Sequence, residues 1–140
     1  MRRLYRRRER PLIRIGGYTF PHKDIPEWFK RAYKTTMECS VSNSMAFLAE
    51  HLERAYGIPV KMWGSLEDGS FVVLSRPPVR DPSATRENFA HFEEDSKDMR
   101  VKRILSLEGF QNIIFSTWVM NDDEWASLLQ IHLLPMYHLH

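Results

Sequence analysis

Residues 60–76 read VKMWGSLEDGSFVVLSR, from Val60 to Arg76, and this stretch decides the architecture. Val60 to Leu66 leads through Glu67, Asp68 and Gly69 into Ser70 to Arg76. The Asp68-Gly69 pair supplies the positive φ values of a tight turn, so the two flanks predict an antiparallel hairpin. Phe71, Val72, Val73 and Leu74 are apolar without alternation, as in a strand covered on both faces. Such a strand needs further layers packed on it.

Upstream, Gly57 followed by Ile58 and Pro59 stops a helix: glycine accepts the left-handed capping position, and proline cannot continue. That helix is predicted to start among the good N-caps Ser40, Ser42 and Asn43 and to run to Tyr56. Val41, Met45, Leu48, Leu52 and Ala55 form its apolar stripe, with Glu50, Glu53 and Arg54 outside. An earlier helix opens at Asp24-Ile25-Pro26-Glu27, with Asp24 as N-cap and Pro26 in the first turn. It carries Ile25, Trp28, Phe29, Ala32, Tyr33 and Thr36 at helical spacing, while Lys23, Lys30, Arg31 and Lys34 give it a basic outer face. Leu12 to Phe20 holds short β-prone pieces broken by Gly16 and Gly17, and is expected as an edge strand or extended leader.

Downstream, Pro77, Pro78 and Pro82 stiffen a non-helical surface connector. Ser83 or Thr85 is expected to cap a helix through Phe89 and Phe92 that ends at Glu93, Glu94 and Asp95. Another runs through Met99, Val101, Ile104, Leu105 and Leu107 to Glu108 and Gly109. Ile113 to Met120 is predicted as a further strand, and Asn121, Asp122, Asp123 and Glu124 open a last helix with Trp125, Leu128, Leu129 and His132 before Pro135. The fold class expected is α+β: a small antiparallel or mixed sheet, the hairpin plus one or two more strands, packed by four to five helices. Residues 1–22 are assigned to a basic N-terminal arm and extended leader, and residues 23–140 to one globular domain.

Charge is distributed unevenly. Seven of the first 14 residues are arginine (Arg2, Arg3, Arg6, Arg7, Arg8, Arg10 and Arg14) against the single acid Glu9, a net +6, which leaves −4 on the remaining 126 residues. Guanidinium stays charged at any accessible pH and meets phosphate with a planar fork of donors, releasing condensed counterions. Nucleic acid is therefore the natural partner, through its phosphate backbone, with an acidic protein surface as the alternative. Leu4 and Tyr5 are the only apolar side chains between Arg2 and Pro11, too few for a membrane-lying amphipathic helix. Absence of serine from the arm and Pro11 at its end count against a mitochondrial transit peptide, though the composition still admits an organellar address. With one cysteine, no apolar signal segment and no run approaching a membrane span, the chain reads as intracellular, cytoplasmic or nuclear.

Catalytic signals are sparse: no Gly-rich phosphate loop, nucleophile elbow, dinucleotide fingerprint or Cys-x-x-Cys pair occurs. Glu93, Glu94, Asp95 and Asp98 read as a solvated helix face, and Asp122 to Glu124 as first-turn acids. His132, His138 and His140 lack a zinc-type spacing, so neither metal nor cofactor is expected. Trp63, beside Lys61 and Lys34, is the tryptophan best placed to stack on a base. Cys39 precedes the second helix, where a helix dipole can favour the thiolate. A helix headed by cysteine and followed by antiparallel strands, over residues 37–76, resembles the layout of papain-like hydrolases and related toxin domains, which implies Cys39 as nucleophile. Such enzymes take the base from the following strands, where Ser70, Phe71, Val72 and Val73 offer no histidine; His91 and His132 lie elsewhere, and His51 is about 18 Å along the same helix.

The function expected is a non-enzymatic module of a larger assembly. Its arginine arm (Arg2, Arg3, Arg6, Arg7, Arg8, Arg10, Arg14), with Lys30, Arg31 and Lys34, contacts phosphate backbone, RNA before duplex DNA because a basic arm adapts to an irregular surface. The alternatives are a protein interaction or inhibitor module, of host or viral type, docking through exposed aromatics or the Pro77–Pro82 loop, and a small hydrolase using Cys39.

Overall fold

The computed structural model describes residues 10–58, 63–65 and 70–128. Its elements are β1 (Leu12–Pro21), α1 (Asp24–Tyr33), α2 (Val41–Tyr56), β2 (Trp63–Ser65), β3 (Ser70–Leu74), β4 (Val79–Asp81), α3 (Ser96–Leu107) and β5 (Ile114–Met120). A last helix starts at residue 122 and is described to residue 128. All strand pairings among the described residues are antiparallel, and helices cover the sheet, so the α+β class holds.

β1 is the centre of the sheet, not the edge strand or leader its glycines suggest. One edge pairs with β5 from Ile13↔Met120 to Thr19↔Ile114. The other pairs with β3 over Gly17 to Pro21 and with β4 over Leu12 to Arg14. β3 and β4 thus share one edge: between Gly17↔Leu74 and Arg14↔Val79 the partner strand bulges outward through Ser75, Arg76, Pro77 and Pro78. Ser75 N–H still donates to Gly16 O at 3.2 Å, whereas the prolines have no donor and fall in the excursion. The Pro77–Pro82 connector accordingly contains a strand, which the sequence reading did not assign.

Period-two alternation along β1 feeds two cores. Tyr18 and Phe20 join Ile25 and Trp28 of α1, Met45, Leu48 and Leu52 of α2, and Ile104 and Leu105 of α3. Ile13 and Ile15 join Val72, Met120 and Leu128, with Trp118 and Trp125 packed alongside. The hairpin strands β2 and β3 pair from Trp63↔Val73 to Ser65↔Phe71; the Glu67-Asp68-Gly69 turn lies outside the described residues.

Local signals explain most helix ends. Ser40 caps α2, its hydroxyl accepting from Asn43 N–H at 3.1 Å, and Gly57 closes it at φ +71°. Asn121 and Glu124 exchange side-chain and backbone hydrogen bonds, both 2.8 Å, at the head of the last helix. At α1, Lys23 rather than Asp24 occupies the N-cap and no side chain caps it; the helix ends at Lys34 in a left-handed conformation, φ +51°, so Thr36 lies beyond it.

The helix expected through Phe89 and Phe92 does not form. Thr85 and Asn88 close a tight turn with reciprocal backbone hydrogen bonds of 2.9 and 3.2 Å, and the following residues strap across the sheet. Phe92 N–H donates to Thr117 Oγ1 at 2.9 Å, while the carbonyls of Ala90 and Glu93 accept from Arg14 and Arg76. Backbone groups engaged this way cannot serve a helix ladder. Asp95 then caps α3 in a reciprocal box with Asp98, so it belongs to a helix start and not to a terminal acidic patch.

Candidate nucleic-acid interface and the polar networks beside it

Core packing begins at Ile13, within the segment read as leader. Arg2, Arg3, Arg6, Arg7 and Arg8 lie outside the described residues. Arg10, its side chain 69% exposed, stands 3.6 Å from Asp122. Arg14 differs in kind: only 18% exposed, it pairs with Asp81 at 3.0 Å and donates to Ala90 O at 3.3 Å. Its guanidinium also lies 4.4 Å from the Phe92 ring centroid. A guanidinium held by an acid, a carbonyl and an aromatic face is a structural clamp. Asp81 is in turn held below the usual carboxylate range, chiefly by hydrogen bonds from the Ser83 hydroxyl and backbone.

The arm enters beside a cleft of about 710 Å³ lined by Arg10, Pro11, Pro82, Arg86, Asp122 and Asp123. Cations in it and beside it face acids. Arg80 binds Asp122 at 2.6 Å and Pro11 O at 3.1 Å, and Arg86 binds Glu124 at 2.8 Å. The cleft thus fixes the base of the arm to the last helix and presents balanced charge.

The remaining residues expected to meet phosphate lie on the last turn of α1 and its cap. Lys30 pairs with Glu38 at 3.0 Å, which raises the Lys30 pKa. Arg31 donates to Glu108 O at 3.0 Å, a carbonyl that leaves its charge uncompensated, and Lys34 is exposed at the α1 terminus. Of the three, Lys30 alone has an acid partner among the described residues. The side chains of Trp63 and Lys61 lie outside the described residues.

Sequence reading overlooked Glu108. Its carboxylate accepts from Trp28 Nε1–H at 2.9 Å and Tyr56 OH at 2.6 Å, and meets His51 Nε2 at 3.0 Å, tying the end of α3 to α1 and α2. Burial pushes the Glu108 carboxyl up, but the donors from Trp28, Tyr56 and His51 outweigh it and hold it below its ordinary value. The hydrogen bond to Glu108 pushes the Tyr56 phenol up. A carboxylate–histidine pair can orient an imidazole for proton transfer, yet here the carboxylate is filled by three side chains and joins helices.

A second network lies under the β3–β4 bulge. Buried Asp98 accepts from Arg76, from Ser75 Oγ at 2.6 Å and from Asp95 N–H at 2.8 Å. Arg76 also stacks on Phe92 at 4.4 Å. Tyr18 OH donates to Glu94 at 2.6 Å, and burial, then Glu94, drives the phenol pKa far up. Of the acids read as a solvated face, Asp98 is buried, while Glu94 and Asp95 are exposed but each holds a specific partner.

Cys39 is half-buried, one residue before the α2 cap. His51 is engaged by Glu108, and His91 stacks on Phe89 at 4.9 Å; no hydrogen bond joins either to Cys39 among the described residues. Among those residues no group of three His, Cys, Asp or Glu side chains could hold a metal ion, and no helix is long and apolar enough to cross a membrane; His132, His138 and His140 lie outside them. No protein family, curated protein or solved structure matches this chain.

Proposed function

We propose that the protein is a non-enzymatic nucleic-acid-binding module whose arginine arm grips phosphate backbone, RNA in preference to duplex DNA. The supporting observation is the position of the arm relative to the fold: Arg2, Arg3, Arg6, Arg7, Arg8 and Arg10 all precede β1, which starts at Leu12. Arg14, inside β1, is clamped internally and drops out of the binding set. Phosphates taken by free guanidiniums release counterions, so binding weakens steeply with salt. An irregular RNA surface offers phosphates in more geometries to such an arm than a uniform duplex does.

The test uses the full chain, since removing residues 1–14 would take away the first residues of the central strand. Arg2, Arg3, Arg6, Arg7 and Arg8 are replaced together by Gln, and binding to a fluorescent 20-nucleotide oligouridylate is followed by anisotropy between 50 and 200 mM salt, about the range where phosphate contacts show. At roughly 0.7 per single-strand contact, the log–log salt slope should become shallower by about 3.5. An unchanged slope, or an intact chain that ignores the RNA, refutes the proposal.

A further inference from the structure

Helix α3 carries Lys97, Arg100, Lys102 and Arg103, and all four are exposed. Its inward side is formed by Asp98, Ile104 and Leu105, with Val101 half-buried. Asp98 is the only acid in the helix and is taken by Arg76 and Ser75, so the outward face is purely cationic. Many cations elsewhere are matched, Arg14 with Asp81, Arg80 with Asp122, Arg86 with Glu124, Arg54 with Glu50 and Lys30 with Glu38, although Arg31 and Lys34 at the end of α1 are not, among the described residues. Lys97, Lys102 and Arg103 make no ion pair among the described residues, and Arg100 donates to the Tyr56 carbonyl, which carries no charge to offset it. The same face exposes Met99 (53%) and Leu107 (70%). Met99, Arg103 and Leu107 follow one another at four-residue steps, about 6 Å each along the axis.

A ligand for this face must offer negative charge and apolar surface side by side. Single-stranded RNA does so, because its phosphates are accompanied by unstacked base faces; in a duplex those faces are hidden. We infer that the exposed face of α3 is a second contact for the RNA held by the arm, one that selects single-stranded segments: Lys102 and Arg103 take phosphates while Met99 and Leu107 pack on bases. This rests on the RNA-binding function proposed above and names the class of RNA.

Two variants of the full chain test it with the oligouridylate and an RNA duplex of about 20 base pairs, long enough to show more than one groove, as probes. Lys102→Gln with Arg103→Gln should flatten the salt slope for the single strand by about 1.4. Met99→Ser with Leu107→Ser should weaken single-strand binding several-fold, leave the slope alone and leave duplex binding unchanged. Thermal melts should match the parent for both, since the replaced side chains are exposed. If the Lys102/Arg103 variant keeps the parent slope while the arm variant loses its own, the α3 contact is refuted and the arm stands; the reverse result refutes the arm alone. A Lys102/Arg103 variant that binds RNA normally but loses affinity for polyglutamate makes α3 a protein-docking face and overturns the inference, as does equal loss of both RNA forms in the Met99/Leu107 variant.

Discussion

Gly16→Ala should destabilise the fold, and removing the Phe92 ring should largely relieve it. A Cβ built on Gly16 falls 2.6 Å from Phe92 Cδ2 and 3.2 Å from Cε2. The ring cannot simply step aside. Guanidiniums of Arg14 and Arg76 each lie 4.4 Å from its centroid, and its own N–H is held by Thr117. Overpacking of this kind costs about 1–3 kcal/mol, offset by about 0.4–1 kcal/mol because alanine restricts the unfolded chain. The single variant should thus lose about 1–2 kcal/mol. Phe92→Ala removes a half-buried ring and two cation–π contacts, costing about 2–3 kcal/mol. In the double variant the new methyl occupies space the ring vacated, so the losses should be sub-additive by about 1–2 kcal/mol. Urea unfolding, followed by tryptophan fluorescence with the m-value checked for constancy, supplies the cycle. Strict additivity would mean that the strap is not seated on Gly16, and the account of residues 89–95 would be wrong.

Glu108→Ala leaves the Trp28 and Tyr56 donors without their acceptor and should cost about 2–3 kcal/mol in urea unfolding near neutral pH. Because the folded Glu108 pKa is depressed, its contribution is complete above the unfolded carboxylate value, about 4.3, and is lost as pH falls through the folded value. The parent–variant difference should therefore shrink in acid; a constant difference from neutrality to pH about 3 rejects the ionic part of the explanation. Arg76→Ala strands the buried Asp98 carboxylate and should cost about 3 kcal/mol, with Asp98→Asn in the same chain recovering a measurable part. Absence of any recovery in a thermal melt would show that Arg76 acts through Phe92 rather than through Asp98.

Where sequence and structure agree, the signal is local. Ser40 and Gly57 bound α2 because a hydroxyl and a left-handed residue act within one helical turn. Ile113 to Met120 was legible as a strand because β-branched and aromatic residues run without a breaker. Where they differ, the deciding partner is remote. Gly16 reads as a break in a strand until Phe92, 76 residues later, is seen to fill the space of its missing side chain. Phe89 and Phe92 sit at helical spacing, but Arg14, Arg76 and Thr117 claim the backbone of Ala90, Phe92 and Glu93 and turn it into a strap. Glu108 looked only like a helix stop; its partners Trp28, His51 and Tyr56 are 80, 57 and 52 residues away, and no spacing rule reaches that far.

Net charge is a poor guide to how a polyanion would experience this protein, and the pairing pattern explains why. Pairing within the body removes a cation with every carboxylate and leaves the −4 on residues 15–140 unaltered, but it decides where the unmatched charge lies. Asp81, Asp98, Asp122, Glu124, Glu38 and Glu50 each face an arginine or lysine. A charge pair a few ångströms apart projects little field beyond a Debye length of about 8 Å, so what a distant strand meets is set by unmatched groups. On α3 those are all positive. Arginine identity alone therefore decides nothing: Arg14 and Arg76 are consumed by an acid and an aromatic ring, whereas Arg103, flanked by lysine and facing water, stays available. Charge reversal should reveal the same division, with Arg76→Glu unfolding the protein and Arg103→Glu leaving its melting temperature intact while weakening its hold on RNA.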